Sequence, residues 1–278
     1  MKILLTGRSG QVGSELQSTL KPLGGLLALD RSTLDLTDAG AVRKAVREAG
    51  AQVIVNAAAY TAVDRAESEP ELAMRVNGEA PGVLAEEAKK LGALLVHYST
   101  DYVFDGRKAS PYLEDDPTGP LGVYGRTKLA GEDAIRASGA RHLIVRTAWV
   151  YGRGGNFVRA IVRQAESGAP LRVVNDQFGA PTWARDIAAV TAQLIAQGAH
   201  GTVHVTAGGK ASWYEVALEV LAAKGLRVPV HGVTTAQYGA PAPRPGYSVL
   251  DNSRLRSLGV PPIGDWRARL HLHLQSAT

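Results

Sequence analysis

Cysteine is absent from the 278-residue sequence, and so is any long apolar run. Without cysteine the chain has no disulfide, no thiol nucleophile and no cysteine-bound metal, and the redox state of its compartment is left open. Residues 1–6 lead directly into a glycine turn, and this segment is too short for a secretory signal. No later apolar run is long enough to cross a bilayer. We therefore expect no membrane partner, with the cytoplasm as the default location.

Positive charge exceeds negative charge, but it is not concentrated in any one segment. The 31 lysines and arginines outnumber the 26 acids and give a net charge of +5, yet they alternate with acids, as in residues 43–48. A basic run with interleaved aromatic residues, typical of nucleic-acid binding, does not occur, so we expect no nucleic-acid partner. An anionic cofactor and an anionic substrate suffice to explain the excess. The length predicts one large domain or two unequal ones.

A glycine turn follows the first strand-like segment, residues 2–6. Gly7, Gly10 and Gly13 are spaced G-x-x-G-x-x-G rather than G-x-G-x-x-G, and residues 14–20 read as a helix. Glycines permit a tight turn, and the free N–H groups of a helix start attract a pyrophosphate. The alternative is a plain strand-to-helix turn, but this turn lies where the dinucleotide-binding fingerprint belongs.

Two further segments fit a dinucleotide site. Asp30 and Arg31 follow the second predicted strand, residues 26–29, about 20 residues beyond the glycines. The acid suits ribose hydroxyls and the arginine suits a 2′-phosphate, so both NADH and NADPH are expected to bind. Ala57, Ala58 and Ala59 follow the next strand and let a cofactor lie against the backbone; tight packing alone is a compatible explanation.

Tyr124 and Lys128 are the candidate acid–base pair. Residues 127–136 read as a helix, which places these two side chains, four residues apart, on one face. A nearby ammonium group favours the phenolate and should lower the pKa of Tyr124. Thr100, at the end of an apolar run, is placed to hold a carbonyl oxygen near the phenol. The Tyr-x3-Lys spacing alone is weak evidence for a catalytic pair, because a surface tyrosine and a solvated lysine on a helix have the same spacing.

Strands and helices alternate along most of the chain. Residues 52–56, 94–97 and 143–146 read as buried strands, residues 39–49 as a helix, and residues 70–90 as a helix that Pro81 either kinks or splits. Alternation of this kind predicts an α/β fold with a doubly wound parallel sheet, Rossmann-like, whose site lies at the carboxyl ends of the strands. Residues 105–122 are predicted to form a long loop at that site.

Motifs over nearly the whole chain carry a family resemblance. They are LTGRSGQVG at 5–13, NAAAYTAVD at 56–64, STDYVFDG at 99–106, YGRTK at 124–128, RTAWVYG at 146–152, DQFGAPT at 176–182, and RP at 244–245 with SVLDN at 248–252. In this order they resemble the extended short-chain dehydrogenase/reductase family, and the third and sixth runs resemble its nucleotide-sugar reductases. The resemblance implies that NADPH or NADH reduces C4 of dTDP-4-dehydro-6-deoxy-L-mannose to dTDP-L-rhamnose.

The resemblance also implies roles for individual residues. Thr100, Tyr124 and Lys128 would be catalytic, with Tyr124 donating the proton and Thr100 orienting the keto oxygen. The cofactor would be held by Gly7, Ser9, Gly10, Gln11, Val12, Gly13, Asp30, Arg31, Asp35, Leu36, Ala57, Ala58, Ala59, Tyr60, Thr61, Tyr98, Tyr124 and Lys128. The substrate would contact Val63, Thr100, Asp101, Tyr102, Tyr124, Trp149, Asn156, Gln177, Thr182 and Arg244. Core packing is an equal alternative for Trp149.

The predicted domains are interleaved, as in similar proteins. Residues 1–150 and 180–206 would bind the dinucleotide, and residues 151–179 and 207–278 the nucleotide sugar. A related 4-keto-6-deoxysugar reductase or epimerase is one alternative function. A non-catalytic subunit, like the regulatory subunit of methionine adenosyltransferase, is another, although the complete set of Thr100, Tyr124 and Lys128 argues against it. A monomer or a homodimer is expected.

A metal site is not expected, and here the chain departs from its family. Some relatives are similar to one another in holding magnesium at a dimer contact with several glutamates, and Glu15 matches one of those positions. Arg185 takes the place of an acid, and residues 266–275 contain no glutamate. Since an arginine repels a dication, we expect Arg185 to pair with Glu15 and the enzyme to need no magnesium.

Overall fold

A computed structural model describes residues 1–276 of the chain. Its main sheet has six parallel strands, and four two-stranded sheets contain the other strands. In chain order the strands are β1 (Lys2–Thr6), β2 (Gly25–Leu29), β3 (Val53–Asn56), β4 (Leu94–Thr100), β5 (His142–Thr147), β6 (Val150–Tyr151), β7 (Leu171–Val174), β8 (Phe178–Gly179), β9 (Thr182–Trp183), β10 (Gly201–His204), β11 (Ala207–Gly208), β12 (Ala211–Ser212), β13 (Val230–Val233) and β14 (Ile263–Asp265).

Helices connect these strands. They are α1 (Gln11–Leu20), α2 (Ala39–Ala49), α3 (Val63–Ala66), α4 (Pro70–Met74), α5 (Ala80–Leu91), α6 (Val123–Ser138), α7 (Phe157–Glu166), α8 (Ala184–Ala196), α9 (Trp213–Lys224), α10 (Thr235–Tyr238), α11 (Ser253–Ser257) and α12 (Trp266–Ser276). Within residues 1–276, none of them is both long and apolar enough to cross a membrane.

The main sheet runs in the order β10-β5-β4-β3-β1-β2, and every neighbouring pair is parallel. The chain leaves β1 toward β2 on one side and returns to β3 on the other, so the order reverses beside β1. In open α/β sheets a ligand binds at such a reversal, beyond the carboxyl ends of the strands. The predicted α/β class with a doubly wound parallel sheet is confirmed.

Alternate residues of the central strands supply the two faces of the sheet. Leu4 and Ile54 belong to a core with α2, α5 and α6, whereas Ile3, Leu5 and Val55 belong to a second core with α1 and α8. Because helices cover both faces, β3 and β4 are buried along their whole length. The second core continues without a break into α7, α9 and α12.

The predicted helix over residues 70–90 is interrupted by a π-helical turn. Pro81 has no N–H to donate to the carbonyl of Asn77, and one π-helical turn, Arg75–Glu79, lies between α4 and α5. The turn buries Asn77, whose side-chain oxygen accepts from the Tyr60 N–H at 2.9 Å and whose amide donates to Thr127 Oγ1 at 3.2 Å. The irregular turn therefore links the segment after β3 to α6.

A buried ion pair joins α6 to β5. Arg146 donates to Glu132 from Nε at 2.9 Å and from Nη2 at 2.7 Å, and both side chains are almost fully buried. Arg146 Nη1 also donates to the Glu114 carbonyl oxygen at 3.0 Å, so the predicted long loop is tied to the same pair. Arg136 donates to Glu132 from the protein surface at 2.6 Å.

Removing one partner of this pair should destabilise the fold strongly. We expect Glu132→Ala to lower the free energy of unfolding by about 3–5 kcal/mol, because it leaves the Arg146 guanidinium buried without its counter-charge. Glu48→Ala is the matched control: Glu48 faces the exposed Lys44 at 3.9 Å, and its loss should cost at most about 0.5 kcal/mol. Urea unfolding of both variants measures the difference; equal losses would contradict the prediction.

Candidate active site

The glycine turn between β1 and α1 is packed against the segment after β3. Gly7 has φ +77°, and a Cβ on it would lie 2.5 Å from the Ala58 nitrogen. A Cβ on Gly13 would lie 2.0 Å from the Gly7 carbonyl oxygen, and the Gly10 N–H donates to that oxygen at 3.0 Å. Two of the three glycines are thus required by close backbone approach, and the start of α1 opens toward the carboxyl end of the sheet.

A cavity of about 520 Å³ lies against this turn, and we call it the glycine-turn cavity. The predicted cofactor residues that line it are Gly7, Ser9, Gly10, Gln11, Val12, Asp30, Arg31, Asp35, Leu36, Ala57, Ala58, Ala59, Tyr60, Thr61, Tyr98, Tyr124 and Lys128. Gly13 does not line the cavity, because it packs behind the turn against Gly7. Leu34, Val76 and Arg153 also line it, and no motif in the sequence indicated them.

The carboxylate of Asp30 is already occupied by neighbouring side chains. Ser32 Oγ donates to it at 2.6 Å and Arg8 Nε at 2.7 Å, and these contacts with the Arg8 charge hold the pKa of Asp30 well below its usual range. Arg8, within the glycine turn, was not singled out by the sequence. Its guanidinium is paired with Asp30 at 2.7 Å.

A second cavity of about 670 Å³ adjoins the first, and we call it the tryptophan cavity. Nine of the ten predicted substrate residues line it: Val63, Thr100, Asp101, Tyr102, Tyr124, Trp149, Asn156, Gln177 and Arg244. Tyr124 lines both cavities, so its phenol stands at their junction. From this position the phenol can contact a ligand in the glycine-turn cavity and a ligand in the tryptophan cavity at the same time.

Thr182 is the substrate residue that the structure contradicts. Its side chain is fully buried, and its hydroxyl donates to the Ala180 carbonyl oxygen at 2.9 Å and accepts from the Ala207 N–H at 3.2 Å. Both hydrogen bonds hold β9 in place within the fold. The hydroxyl therefore has no remaining contact with the cavity.

The wall of the tryptophan cavity contains aromatic residues that the sequence did not single out. Trp149 has φ +48°, an unfavourable conformation for a bulky residue, and its ring stacks on Trp213 with centroids 3.5 Å apart. Phe157 packs against Trp213 at 4.5 Å. Trp213 begins α9 and Phe157 begins α7, so only the tertiary fold brings them to Trp149.

Arg244 also lines the tryptophan cavity, at its rim. Its Nη2 donates to Asp64 Oδ2 at 3.0 Å, and the Ala242 N–H donates to Asp64 Oδ1 at 3.2 Å. The pair joins α3 to the segment before Pro245, and Ala240 and Arg244 of that segment line the cavity. An anionic ligand at this rim would compete with Asp64 for the guanidinium.

Lys128 is held by the sheet and not by the tyrosine. Its Nζ donates to the Tyr98 carbonyl oxygen at 2.6 Å and lies 3.1 Å from His97 Nε2. Burial lowers the pKa of Lys128 to about 8. Burial and the Lys128 charge lower the pKa of His97 well below its ordinary value, so the imidazole is neutral.

The expected lowering of the Tyr124 pKa is wrong for this structure. Burial raises the pKa of Tyr124 to about 12; the Thr100 hydroxyl lowers it in part, and the Asp101 charge raises it further. Lys128 makes no comparable contribution, because its ammonium group faces Tyr98 and His97. Tyr124 is therefore a neutral phenol at physiological pH, which suits a proton donor.

The predicted contact between Glu15 and Arg185 is confirmed. Arg185 Nε lies 3.5 Å from Glu15 Oε2, and the guanidinium also stacks over the Trp183 ring at 4.6 Å. Across residues 1–276, no three His, Cys, Asp or Glu side chains are grouped as metal ligands. Glu15 thus has a protein cation as its partner.

Comparisons with known proteins agree with this geometry. The family described as RmlD substrate binding domain matches residues 1–278. The chain is similar to a dTDP-4-dehydrorhamnose reductase of Burkholderia thailandensis, with 45% identity over 96% of each chain. It is 44% identical, over 97% of this chain and 93% of the other, to a probable dTDP-4,6-dihydroxy-2-methyloxan-3-one 4-ketoreductase of Streptomyces antibioticus. A Bacillus anthracis dTDP-4-dehydrorhamnose reductase in complex with NADP superposes with a TM-score of 0.95, at 35% identity over 99% of this chain and 100% of that one.

Proposed function

The chain belongs to the RmlD substrate binding domain family, and we propose that it reduces the C4 keto group of dTDP-4-dehydro-6-deoxy-L-mannose to give dTDP-L-rhamnose. NADPH or NADH is the reductant. One observation carries the proposal: Tyr124 stands where the glycine-turn cavity meets the tryptophan cavity, with Thr100 and Lys128 beside it. A dinucleotide on one side and a keto sugar on the other would both reach this phenol.

The glycine-turn cavity fits a dinucleotide. The backbone at Gly7 and Ala58 approaches so closely that a Cβ would fill the cradle, and the N–H groups at the start of α1 suit a pyrophosphate. The residues that line this cavity would hold the dinucleotide, and a reduced nicotinamide bound there would supply the hydride for C4 of the sugar. Tyr124 supplies the proton to the C4 oxygen, so that a hydride and a proton together convert the ketone to an alcohol.

Lys128 and Thr100 support the proton transfer. The Lys128 ammonium, held on Tyr98 and His97, would bind the nicotinamide ribose in the glycine-turn cavity and so place the hydride donor beside the Tyr124 proton. The Thr100 hydroxyl orients the keto oxygen toward the phenol. Trp149 would pack on the sugar ring, and Arg244 would leave Asp64 to pair with the diphosphate.

Two alternatives remain distinct from this proposal. The first alternative is the reduction of the C4 keto group of a different deoxysugar, and the similarity to a probable 4-ketoreductase of Streptomyces antibioticus supports it. The tryptophan cavity would then bind that sugar. A non-catalytic binding role is disfavoured, because Tyr124, Thr100 and Lys128 are all present and adjacent. We further propose a cytoplasmic monomer or homodimer, with residues 1–150 and 180–206 as the dinucleotide domain and residues 151–179 and 207–278 as the sugar domain.

A turnover assay with dTDP-4-dehydrorhamnose and NADPH tests the function. We expect the wild type to oxidise NADPH in step with product formation and Tyr124→Phe to be slower by roughly 10²-fold or more, because the ring remains but the proton donor is lost. Tyr214→Phe, at a phenol on α9 outside both cavities, is the matched control. Normal turnover by Tyr124→Phe would assign the acid to another residue, and an inactive wild type would reject the substrate.

Arg31 should discriminate between the two dinucleotides. We expect Arg31→Ala to weaken NADPH more than NADH, because only NADPH carries the 2′-phosphate that a guanidinium binds. Fluorescence titration of each dinucleotide gives the two dissociation constants. Arg227→Ala, an exposed arginine outside both cavities, should change neither. Equal losses for NADH and NADPH would make Arg31 an ordinary surface charge.

Magnesium should be dispensable. Because Arg185 lies against Glu15 at 3.5 Å, a dication at Glu15 would meet a fixed positive charge. We expect EDTA-treated protein to keep both its turnover and its apparent mass, measured by steady-state assay and by size-exclusion chromatography. A loss of either one that magnesium restores, but sodium at equal ionic strength does not, would contradict the prediction.

A further inference from the structure

The hydrogen bonds of the Thr100 hydroxyl decide what it can offer to a substrate. Thr100 Oγ1 accepts from the Tyr102 N–H at 3.1 Å and donates its own proton to Asp101 Oδ1 at 3.0 Å. The Thr100 hydroxyl also faces the Tyr124 phenol and lowers its pKa in part. A hydroxyl has one proton and two lone pairs, so a Thr100 that donates to Asp101 has no proton left for a keto oxygen.

Asp101 is buried at the bottom of the tryptophan cavity. The residue is 2% exposed, and within residues 1–276 its Oδ2 has no partner that meets hydrogen-bond geometry. Burial raises the pKa of Asp101 to about 7, and the nearby Ser248 and Thr100 hydroxyls lower it only in part. The other titratable groups that face it are the phenols of Tyr102 and Tyr124.

Cations do not neutralise this carboxylate in the described part of the chain. Arg244 approaches Tyr102 but is paired with Asp64, and Lys128 is turned toward Tyr98 on the glycine-turn side. An uncompensated buried carboxylate takes up a proton readily. Asp101 thus combines a raised pKa with a direct hydrogen bond from Thr100.

The two protonation states of Asp101 give opposite hydrogen-bond patterns. With Asp101 ionised, Thr100 donates its one proton to Asp101 and has none left for the Tyr124 oxygen or for a substrate carbonyl. With Asp101 protonated on Oδ1, the oxygen that faces Thr100, its O–H donates to Thr100 and, with the Tyr102 N–H, fills both lone pairs. Thr100 and Tyr124 must then direct their protons elsewhere, and the cavity is the direction left.

We propose that Asp101 is a positioning residue whose protonated carboxyl group turns the hydroxyl protons of Thr100 and Tyr124 toward the substrate carbonyl. The proposal rests on the reduction proposed above and deepens it. Asp101 does not give its proton to the sugar, so the hydride and the Tyr124 proton still account for the whole reaction. Proton uptake by Asp101 instead selects the arrangement in which two donors meet the keto oxygen.

The pH dependence of kcat/KM tests the proposal, because it reports ionisations of the free enzyme. The proposal makes activity depend on the protonated form of Asp101. We therefore expect kcat/KM to be level below pH about 7, where Asp101 is neutral, and to fall about tenfold per pH unit above that pH. The nearly isosteric Asp101→Asn cannot ionise and donates to Thr100 from its amide. Its alkaline limb should therefore move upward, toward pH about 8, where Lys128 loses its proton.

A matched control and two outcomes complete the kinetic test. Asp115→Asn, at a carboxylate that is 94% exposed, should have the wild-type profile. Asp101→Asn should keep at least about a third of the wild-type kcat/KM at pH 6, because it mimics the neutral acid. A variant that loses activity uniformly while its alkaline limb stays in place would show that Asp101 is merely structural and would overturn the proposal.

An infrared titration separates this proposal from the choice of substrate. Wild-type protein should have a carboxylic-acid carbonyl band that disappears with a midpoint near pH about 7 and that is missing from Asp101→Asn at pH 6. That result supports a protonated Asp101 whichever keto sugar is reduced. Identical spectra for the wild type and Asp101→Asn at pH 6 would overturn the proposal even if dTDP-4-dehydrorhamnose is turned over.

Discussion

The contact between Lys128 and the Tyr98 carbonyl oxygen, 2.6 Å long, ties α6 to β4. A lysine that is 2% exposed can stay in the interior only if its Nζ has partners. The carbonyl of Tyr98 and the imidazole of His97 meet this requirement because both belong to β4. Once Lys128 is held there, helical spacing places Tyr124 one turn earlier, beside Thr100 at the end of the same strand. The junction of the two cavities depends on this arrangement.

The same strand connects the site to the interior of the sheet. His97 Nδ1 lies 3.1 Å from the Asn56 amide nitrogen, and Asn56 Oδ1 accepts from Thr6 at 2.7 Å. These residues lie on β4, β3 and β1, three neighbouring strands, so the row crosses the point where the strand order reverses. A buried polar row of this kind tolerates little displacement, since each unpaired member would cost free energy. Lys128 is therefore positioned by the sheet itself.

Local patterns predicted the sheet, the glycine turn and the candidate catalytic residues, because each depends on short-range physics. Apolar runs become parallel strands, and close backbone approach requires Gly7. What could not be predicted depends on contacts between distant segments. Arg8 reaches Asp30 only after β2 returns beside β1, and Trp213 meets Trp149 only when α9 packs against α7 and β7. The pKa of Tyr124 belongs to the same class, since burial decides it and burial is a property of the whole fold.

Unsatisfied polar groups concentrate where ligands are expected. Ser99 Oγ, Asp101 Oδ2 and Thr147 Oγ1 are buried atoms that lack a hydrogen-bond partner among the described residues. Ser99 and Thr147 lie at the carboxyl ends of β4 and β5, which are adjacent in the sheet, and both line the two cavities. Interior positions of a stable fold rarely leave such groups unpaired. Four of the six such atoms among the described residues belong to residues that line the tryptophan cavity, so the fold leaves its own hydrogen bonds least complete at the edge of the sheet where the two proposed ligands would meet.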